Sequence, residues 1–123
     1  MTLHNREIGL YGENIAAEYL KISGLSILCR NYRSRCGEID LIAKDGDTIV
    51  FVEVKTRRSL KFGEATEQIT GVKQRKIMAV ANEYLSKTGC LGYNGRFDVL
   101  AVRVLPGGGI KIKWIKSAFD GWR

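Results

Sequence analysis

The chain has 123 residues, 45% of them hydrophobic and only one a proline, which is typical of one compact domain with a modest core. Its 20 Lys and Arg residues outnumber its 13 Asp and Glu residues, and the formal net charge of +7 favours a polyanionic partner such as nucleic acid. The sequence lacks a membrane-spanning run and a secretion signal, so we predict a cytoplasmic protein. Its three cysteines lack metal-ligand spacing, so a zinc site is not expected. We predict a single domain over residues 1–123.

A first helix is predicted over about residues 9–22, with Gly24 as its C-terminal cap. Its apolar stripe consists of Ala16, Ala17 and Leu20. Glu13 falls on the same face at helical spacing. A carboxylate among core-facing positions indicates a functional role, and the alternative is a first-turn glutamate favoured by the helix dipole.

A strand is predicted over residues 25–32, followed by a loop that carries Arg33 and Arg35. A β-hairpin comes next, with strands at 39–44 and 48–56 joined through Asp45-Gly46-Asp47. One face of this hairpin is apolar and is expected to line a core. Its members are Ile39, Leu41, Ala43, Val50, Val52 and Val54.

The opposite face of the hairpin carries Asp40 on the first strand, and Glu53 and Lys55 on the second. A turn at Gly46-Asp47 would place Asp40 opposite Glu53. A turn at Asp45-Gly46 would make Glu53 the diagonal neighbour of Asp40 instead. Both registers keep the two carboxylates on one face.

The second half of the chain begins with a polar loop, for which a phosphate-binding loop and a solubilising surface loop are equal alternatives. A helix is predicted over about 67–87, ended by Gly89, with Ile69 among its apolar positions. Strands are predicted at 96–104 and 110–115, joined by a glycine-rich hairpin turn. Basic residues expected to contact nucleic acid are Arg33, Arg35, Arg57, Arg58, Lys61 and Lys73.

The order of elements is therefore α-β-β-β-α-β-β. The connection through the second helix predicts that the strand carrying Glu53 and the strand at 96–104 are parallel neighbours. The result is an α/β fold, a mixed sheet flanked by helices. Asp98 is interpreted as structural, and Lys111 and Lys113 are interpreted as charges that protect an exposed edge strand.

Two carboxylates a few ångströms apart raise each other's pKa unless a cation lies between them. Mg²⁺ accepts one or two protein carboxylates and keeps positions for water and phosphate oxygens, and a neighbouring lysine can hold the attacking water. The pattern therefore suits metal-assisted hydrolysis of phosphodiesters. The alternative, a solvated hairpin face, fits poorly with the otherwise apolar run at 49–54, which indicates burial.

Asp40 followed by Glu53-Val54-Lys55 resembles the D…(D/E)-x-K signature of restriction-endonuclease-like nucleases. The longer string, with NYR before it and KTR after it, is similar to the bacterial YraN family, which is grouped with archaeal-type Holliday junction resolvases. The resemblance covers nearly the whole chain. It implies a restriction-endonuclease-like sheet, in which Asp40, Glu53 and the Val54 carbonyl hold Mg²⁺ or Mn²⁺, Lys55 serves the attacking water, and Glu13 is an auxiliary ligand or orients a water.

The predicted function is thus a Mg²⁺- or Mn²⁺-dependent endonuclease acting on DNA, with branched or junction DNA as the substrate that the resemblance suggests. The alternative is a nucleic-acid-binding accessory protein that keeps the fold without turnover. A structural partner in a DNA-processing complex is a third hypothesis. Paired cutting at a junction would require a homodimer, whereas a monomer would nick one strand at a time.

Overall fold

In the computed structural model, residues 3–58 and 69–119 are described, with the side chains of residues 3–6 left aside. The elements are α1 (Leu3–Ile22), β1 (Ser26–Ser34), β2 (Gly37–Asp45), β3 (Thr48–Arg58), α2 (Gly71–Thr88), β4 (Asn94–Val104) and β5 (Ile110–Ile115). This order confirms the predicted arrangement α-β-β-β-α-β-β. Neither of these helices is long and apolar enough to cross a membrane.

The five strands form one mixed sheet in the order β1-β2-β3-β4-β5. β3 and β4 are parallel, and the other three neighbouring pairs are antiparallel. Because α2 connects the two parallel strands, the predicted crossover is confirmed. β3 lies in the centre of the sheet, so a residue on it has neighbouring strands on both sides.

The hairpin between β2 and β3 turns at Gly46-Asp47, since Asp45 pairs with Thr48. Gly46 has a φ of 61°, in the left-handed region that glycine adopts without strain. The ladder runs back to the pair Leu41 and Val52. The turn at Gly46-Asp47 is that of the first of the two predicted registers, although the ladder ends before it reaches Asp40 and Glu53.

Each face of the sheet packs against one helix. The α1-side core contains Ala16, Ala17, Leu20, Leu25, Leu41, Ala43, Val50, Val52, Leu100 and Val102. The α2-side core contains Ile39, Ile42, Ile49, Phe51, Ile69, Ile77, Val80, Ala81, Tyr84, Leu85, Phe97 and Val99. Burial on both faces explains why β3 is almost continuously apolar from Ile49 to Val52.

The prediction that Ile39 shares a face with Leu41 is wrong, since Leu41 packs in the α1-side core. Ile39 packs in the α2-side core with Ile42. The alternation of side chains along β2 is therefore interrupted between Ile39 and Leu41. At the same level of β1, Asn31 has a φ of 54°. Nothing in the apolar pattern of β2 itself signals this interruption.

Three boundaries also differ from the prediction. α1 begins at Leu3 rather than near Gly9. α2 begins at Gly71 rather than near residue 67, because the Thr70 hydroxyl accepts a hydrogen bond from the Lys73 N–H and caps the helix. Ile69 is buried, but it precedes the helix. Arg33 belongs to β1 rather than to a loop. Gly89 ends α2 with a φ of 75°, as predicted.

A buried carboxylate joins β4 to β5. Asp98, 1% exposed, accepts hydrogen bonds from the Arg96 guanidinium, the Trp114 indole N–H and the Ser117 backbone N–H. Arg96 also contacts Asp45 at the hairpin, at 3.3 Å. Full hydrogen bonding makes burial of this charge tolerable, in agreement with its predicted structural role.

The close approach of α1 to β3 depends on Gly12. A Cβ atom at this position would collide with the Thr56 side chain. The absence of a side chain therefore lets the helix lie directly on the strand. This contact also fixes the position of Glu13, the next residue along α1.

Gly12→Ala should destabilise the protein by about 1–3 kcal/mol, because the helix must move away from Thr56. Gly9→Ala is the matched control, since a Cβ atom there meets nothing within 4 Å and should stabilise the helix by about 0.5–1 kcal/mol. Urea unfolding of both variants measures the difference. Equal stabilities would contradict the inferred contact.

Candidate active site

Asp40 lies where β2 and β3 separate. The backbone ladder between these strands ends at Leu41 and Val52. Beyond it, the Asp40 carboxylate accepts a hydrogen bond from the Val54 N–H at 2.8 Å. Asp40 is thereby held against the backbone of β3, beside two of the residues predicted to form the metal site.

Two cavities meet at Asp40. The cavity on the α2 side has a volume of about 370 Å³, and its lining includes Asp40, Glu53 and Lys73. The cavity on the α1 side has a volume of about 590 Å³, and its lining includes Glu13, Asp40 and Val54. The fold therefore brings Asp40 together with both other predicted carboxylates, each from a different side.

The charge of Asp40 is unfavourable in this setting. Burial raises the pKa of its carboxyl from 3.8 to about 7, and the negative charge of Glu53 adds to this effect. Glu13 and Glu38 raise the pKa further, while the hydrogen bond from Val54 lowers it. Asp40 is thus a buried acid whose ionised form needs additional positive charge.

Lys73, from α2, contacts the carboxylate of Glu53. The Lys73 ammonium lies 2.7 Å from Glu53 Oε2. This hydrogen bond raises the pKa of Lys73, and the charge of Asp40 adds to the increase. The chain therefore places its own cation in the cavity that the two carboxylates line. Sequence analysis assigned Lys73 to nucleic-acid contacts and did not foresee this pairing.

Glu13 is buried and already paired. Its Oε1 accepts hydrogen bonds from Arg30 Nη2 at 2.9 Å and from Asn31 Nδ2 at 3.0 Å. Arg30 also donates to Asn14 at 2.6 Å. Sequence analysis missed both donors, although two consecutive polar residues in an otherwise alternating strand were an available signal. Glu13 is therefore held in place by β1 while it faces the cavity that contains Asp40.

Lys55 follows Glu53 by two residues on β3, and lies level with Ala101 of β4. The regular alternation of the strand puts its side chain on the same face as Glu53. Lys55 is half-buried, as expected for a residue at the rim of the site.

The other predicted basic residues are not gathered in one place. Arg33 forms an exposed ion pair with Glu38 at 3.5 Å, and Arg35 lies in the turn between β1 and β2. Arg57 and Arg58 end β3, where Arg58 lines the α1-side cavity. Lys61 lies outside the described residues.

Comparison with known proteins identifies the family. The model of the "Uncharacterised protein family UPF0102" matches residues 12–102. The chain belongs to this family, and the predicted membership of the YraN family is confirmed. A UPF0102 protein of Syntrophus aciditrophicus is 49% identical over 94% of this chain and 91% of its own length. One from Rhodococcus jostii is 47% identical over 94% of this chain and 98% of its own length.

A solved structure of SfsA from Pyrococcus furiosus, determined in complex with Ca²⁺, is also similar to this UPF0102 protein. The TM-score is 0.44 and the sequence identity is 16%. The similarity covers 94% of this chain and 65% of the SfsA chain.

The donor groups at the UPF0102 site suit a divalent cation. Within residues 3–58 and 69–119, no three His, Cys, Asp or Glu side chains are grouped to hold a metal. Asp40 and Glu53 would thus act as two carboxylate ligands, completed by backbone and water, a donor set that suits Mg²⁺. The raised pKa of Asp40 and the ammonium at Glu53 both show that positive charge is favourable here. The residues fit such an ion.

Asp40→Asn should stabilise the metal-free UPF0102 protein at high pH. The folded pKa of about 7 exceeds the unfolded value of 3.8, so the wild type loses stability as pH rises between these values. The variant should match the wild type below pH 3.8 and melt roughly a few degrees higher above pH 7.

Thermal melts across this pH range in a chelating buffer measure the effect. Asp47→Asn, in the exposed turn, is the matched control and should show no such divergence. Parallel melting curves for wild type and Asp40→Asn would contradict the inferred burial of charge.

Proposed function

We propose that this UPF0102 protein is a Mg²⁺- or Mn²⁺-dependent nuclease that hydrolyses phosphodiester bonds in DNA. The observation that carries the proposal is the pair of Asp40 and Glu53 in one cavity, where burial and mutual repulsion leave a demand for positive charge. Lys55 lies two residues further along the same face of β3. Two acids and a lysine on one strand face suit metal-assisted hydrolysis of phosphodiesters.

Each residue has a distinct task in this proposal. Asp40 and Glu53 would hold the cation, with the adjoining backbone at Val54 as a further ligand. A bound cation would neutralise part of the negative charge that develops on the phosphate. Lys55 would hold the attacking water by donating a hydrogen bond to it. As the new P–O bond forms, the attacking water gives up a proton to solvent, the bond to the leaving oxygen breaks, and that oxygen takes up a proton from solvent water.

Glu13 is best interpreted as a positioning residue. Arg30 and Asn31 hold its carboxylate, and its negative charge contributes to the raised pKa of Asp40. The negative charge of Glu13 would favour binding of a cation at Asp40, because both side chains line the α1-side cavity. Junction DNA as the substrate and a homodimer as the active assembly remain predictions from the resemblance.

The proposal is tested by cleavage of labelled DNA structures in Mg²⁺ or Mn²⁺. Asp40→Asn, Glu53→Gln and Lys55→Ala should each lower cleavage by about 10²-fold or more, since each removes a charge that the reaction requires. Asp47→Asn is the control for purification and folding. Full cleavage by Asp40→Asn, with a wild-type melting curve, would contradict the assignment.

A specific contact favours a second candidate, a nucleic-acid-binding accessory protein without turnover. Lys73 lies at Glu53, so an ammonium can neutralise the carboxylate in place of a metal. The two candidates differ in whether a divalent ion displaces this lysine.

Lys73→Gln should raise the affinity for Mn²⁺ by about three- to tenfold if the nuclease proposal is correct, because a competing cation is removed. Calorimetric titration with Mn²⁺ measures this without relying on activity. Lys76→Gln removes an equal charge from the same cavity without a known contact to Glu53, and serves as the control. Mn²⁺ binding to neither wild type nor Lys73→Gln would favour the accessory protein.

A further inference from the structure

The α2-side face of the sheet continues beyond Glu53 as two rows of mainly basic residues. Phe51, Val99 and Ile115 mark this face, because all three pack in or against the α2-side core. Residues at even spacing further along β3 and β4, or back along β5, share this face by alternation. The residues that form the basic face are Lys55, Arg57, Arg103, Lys111 and Lys113.

The pairing of strands sets these residues side by side. In the first row, Lys55 of β3, Ala101 of β4 and Lys113 of β5 are level. In the second row, Arg57, Arg103 and Lys111 are level. The rows are two residues apart, or about 6.6 Å. A single surface of three strands therefore presents five cations beside the carboxylate pair.

The basic face is accessible. Arg57, Lys111 and Lys113 are exposed, whereas Lys55 and Arg103 are half-buried. Arg103, Lys111 and Lys113 line a shallow cavity of about 230 Å³, in which the small side chain of Ala101 leaves room. The cavity is wide enough for an anionic group to contact several cations together.

Edge protection does not account for this arrangement. Lysines on β5 would shield an exposed edge, but Arg57 and Arg103 belong to β3 and β4, which lie inside the sheet. Arg103 lies level with Lys111 on the same face, so the basic residues continue from the edge strand onto the inner strands. Several cations on one face suit a polyanion, and the net charge of +7 agrees with such a partner.

We propose that the basic face binds the phosphodiester backbone of a nucleic acid and guides one strand to Asp40 and Glu53. The second part rests on the proposed nuclease function, whereas binding to the face does not. The two rows would let successive phosphates of one strand contact different cations of the basic face. The backbone would run along β3, from Glu53 towards Arg57.

Binding is measured by fluorescence anisotropy with labelled duplex DNA and duplex RNA of the same sequence, in EDTA so that no cleavage occurs. Lys111→Gln/Lys113→Gln should weaken binding about tenfold or more at low salt, because two phosphate contacts are lost. The slope of log affinity against log salt should fall by about two. The DNA and RNA arms show which backbone is bound more tightly.

The control is Lys21→Gln/Lys87→Gln, which changes the net charge equally. Both lysines lie in the last turns of their helices. After α1 the chain enters β1 at Ser26, which pairs with Lys44, and after α2 it enters β4 at Asn94, which pairs with Thr48. Both helices therefore end near the start of β3, at the opposite end of this strand from Arg57. This variant should bind within about twofold of the wild type, and Lys111→Arg/Lys113→Arg should restore binding.

The outcomes separate the two proposals. Equal binding by Lys111→Gln/Lys113→Gln and the control, with unchanged melting curves, would overturn the basic face as the binding surface, as would a wild type that binds neither duplex. Selective loss of binding supports it. If the wild type then fails to cut bound DNA in Mg²⁺ or Mn²⁺, the nuclease proposal fails while the basic face stands.

Discussion

The register of the β2–β3 hairpin is the constraint on which the rest of the structure depends. The turn at Gly46-Asp47 pairs Asp45 with Thr48, and this pairing sends Leu41 and Val52 to the α1-side core. A slip of one residue would turn the apolar residues of one strand away from their core. Asp40 and Glu53 follow directly after the last pair of this ladder and line one cavity. Core packing and the position of the carboxylates are therefore settled by one turn.

Placing the carboxylates at the point where two strands separate has an electrostatic consequence. The Val54 N–H, which lacks a β2 backbone partner beyond the end of the ladder, donates to Asp40 and stabilises its charge. Burial and Glu53 act in the opposite direction and prevail, since the pKa of Asp40 is raised. The structure thus holds the side chain firmly but leaves its charge only partly compensated. That combination is typical of a site prepared for a ligand rather than of a structural ion pair.

Asp98 provides the contrast within the same sheet. It is more deeply buried than Asp40, yet Arg96, Trp114 and Ser117 satisfy it from three directions. Both residues appear in the sequence as single acids beside apolar runs. What distinguishes them is their partners, which only the fold reveals. Asp98 is explained by structure alone, and Asp40 is not.

The features that could be predicted from the sequence are those determined by nearby residues. The hairpin, the glycine turns, β5 and the end of α2 follow from alternation, periodicity and glycine positions, and the parallel pair follows from the length of the crossover. The side of Ile39 could not be predicted, because the alternation breaks between Ile39 and Leu41 and the apolar pattern of β2 carries no sign of the break. The contacts of Lys73 with Glu53 and of Arg30 with Glu13 join residues that are distant in sequence. Pattern alone assigns such residues a charge but not a partner.

The network around Asp98 has a consequence for the dynamics of the edge strand. A terminal strand usually frays at little cost, and its amide hydrogens then exchange with solvent faster than those in the centre of the sheet. Separation of β5 from β4 would here remove Trp114 and Ser117 from a carboxylate that is 1% exposed. Such an opening leaves a desolvated charge with fewer donors, so fraying of β5 costs more than fraying of an edge strand without these contacts. Amide hydrogens near Trp114 should therefore exchange more slowly than is usual for an edge strand.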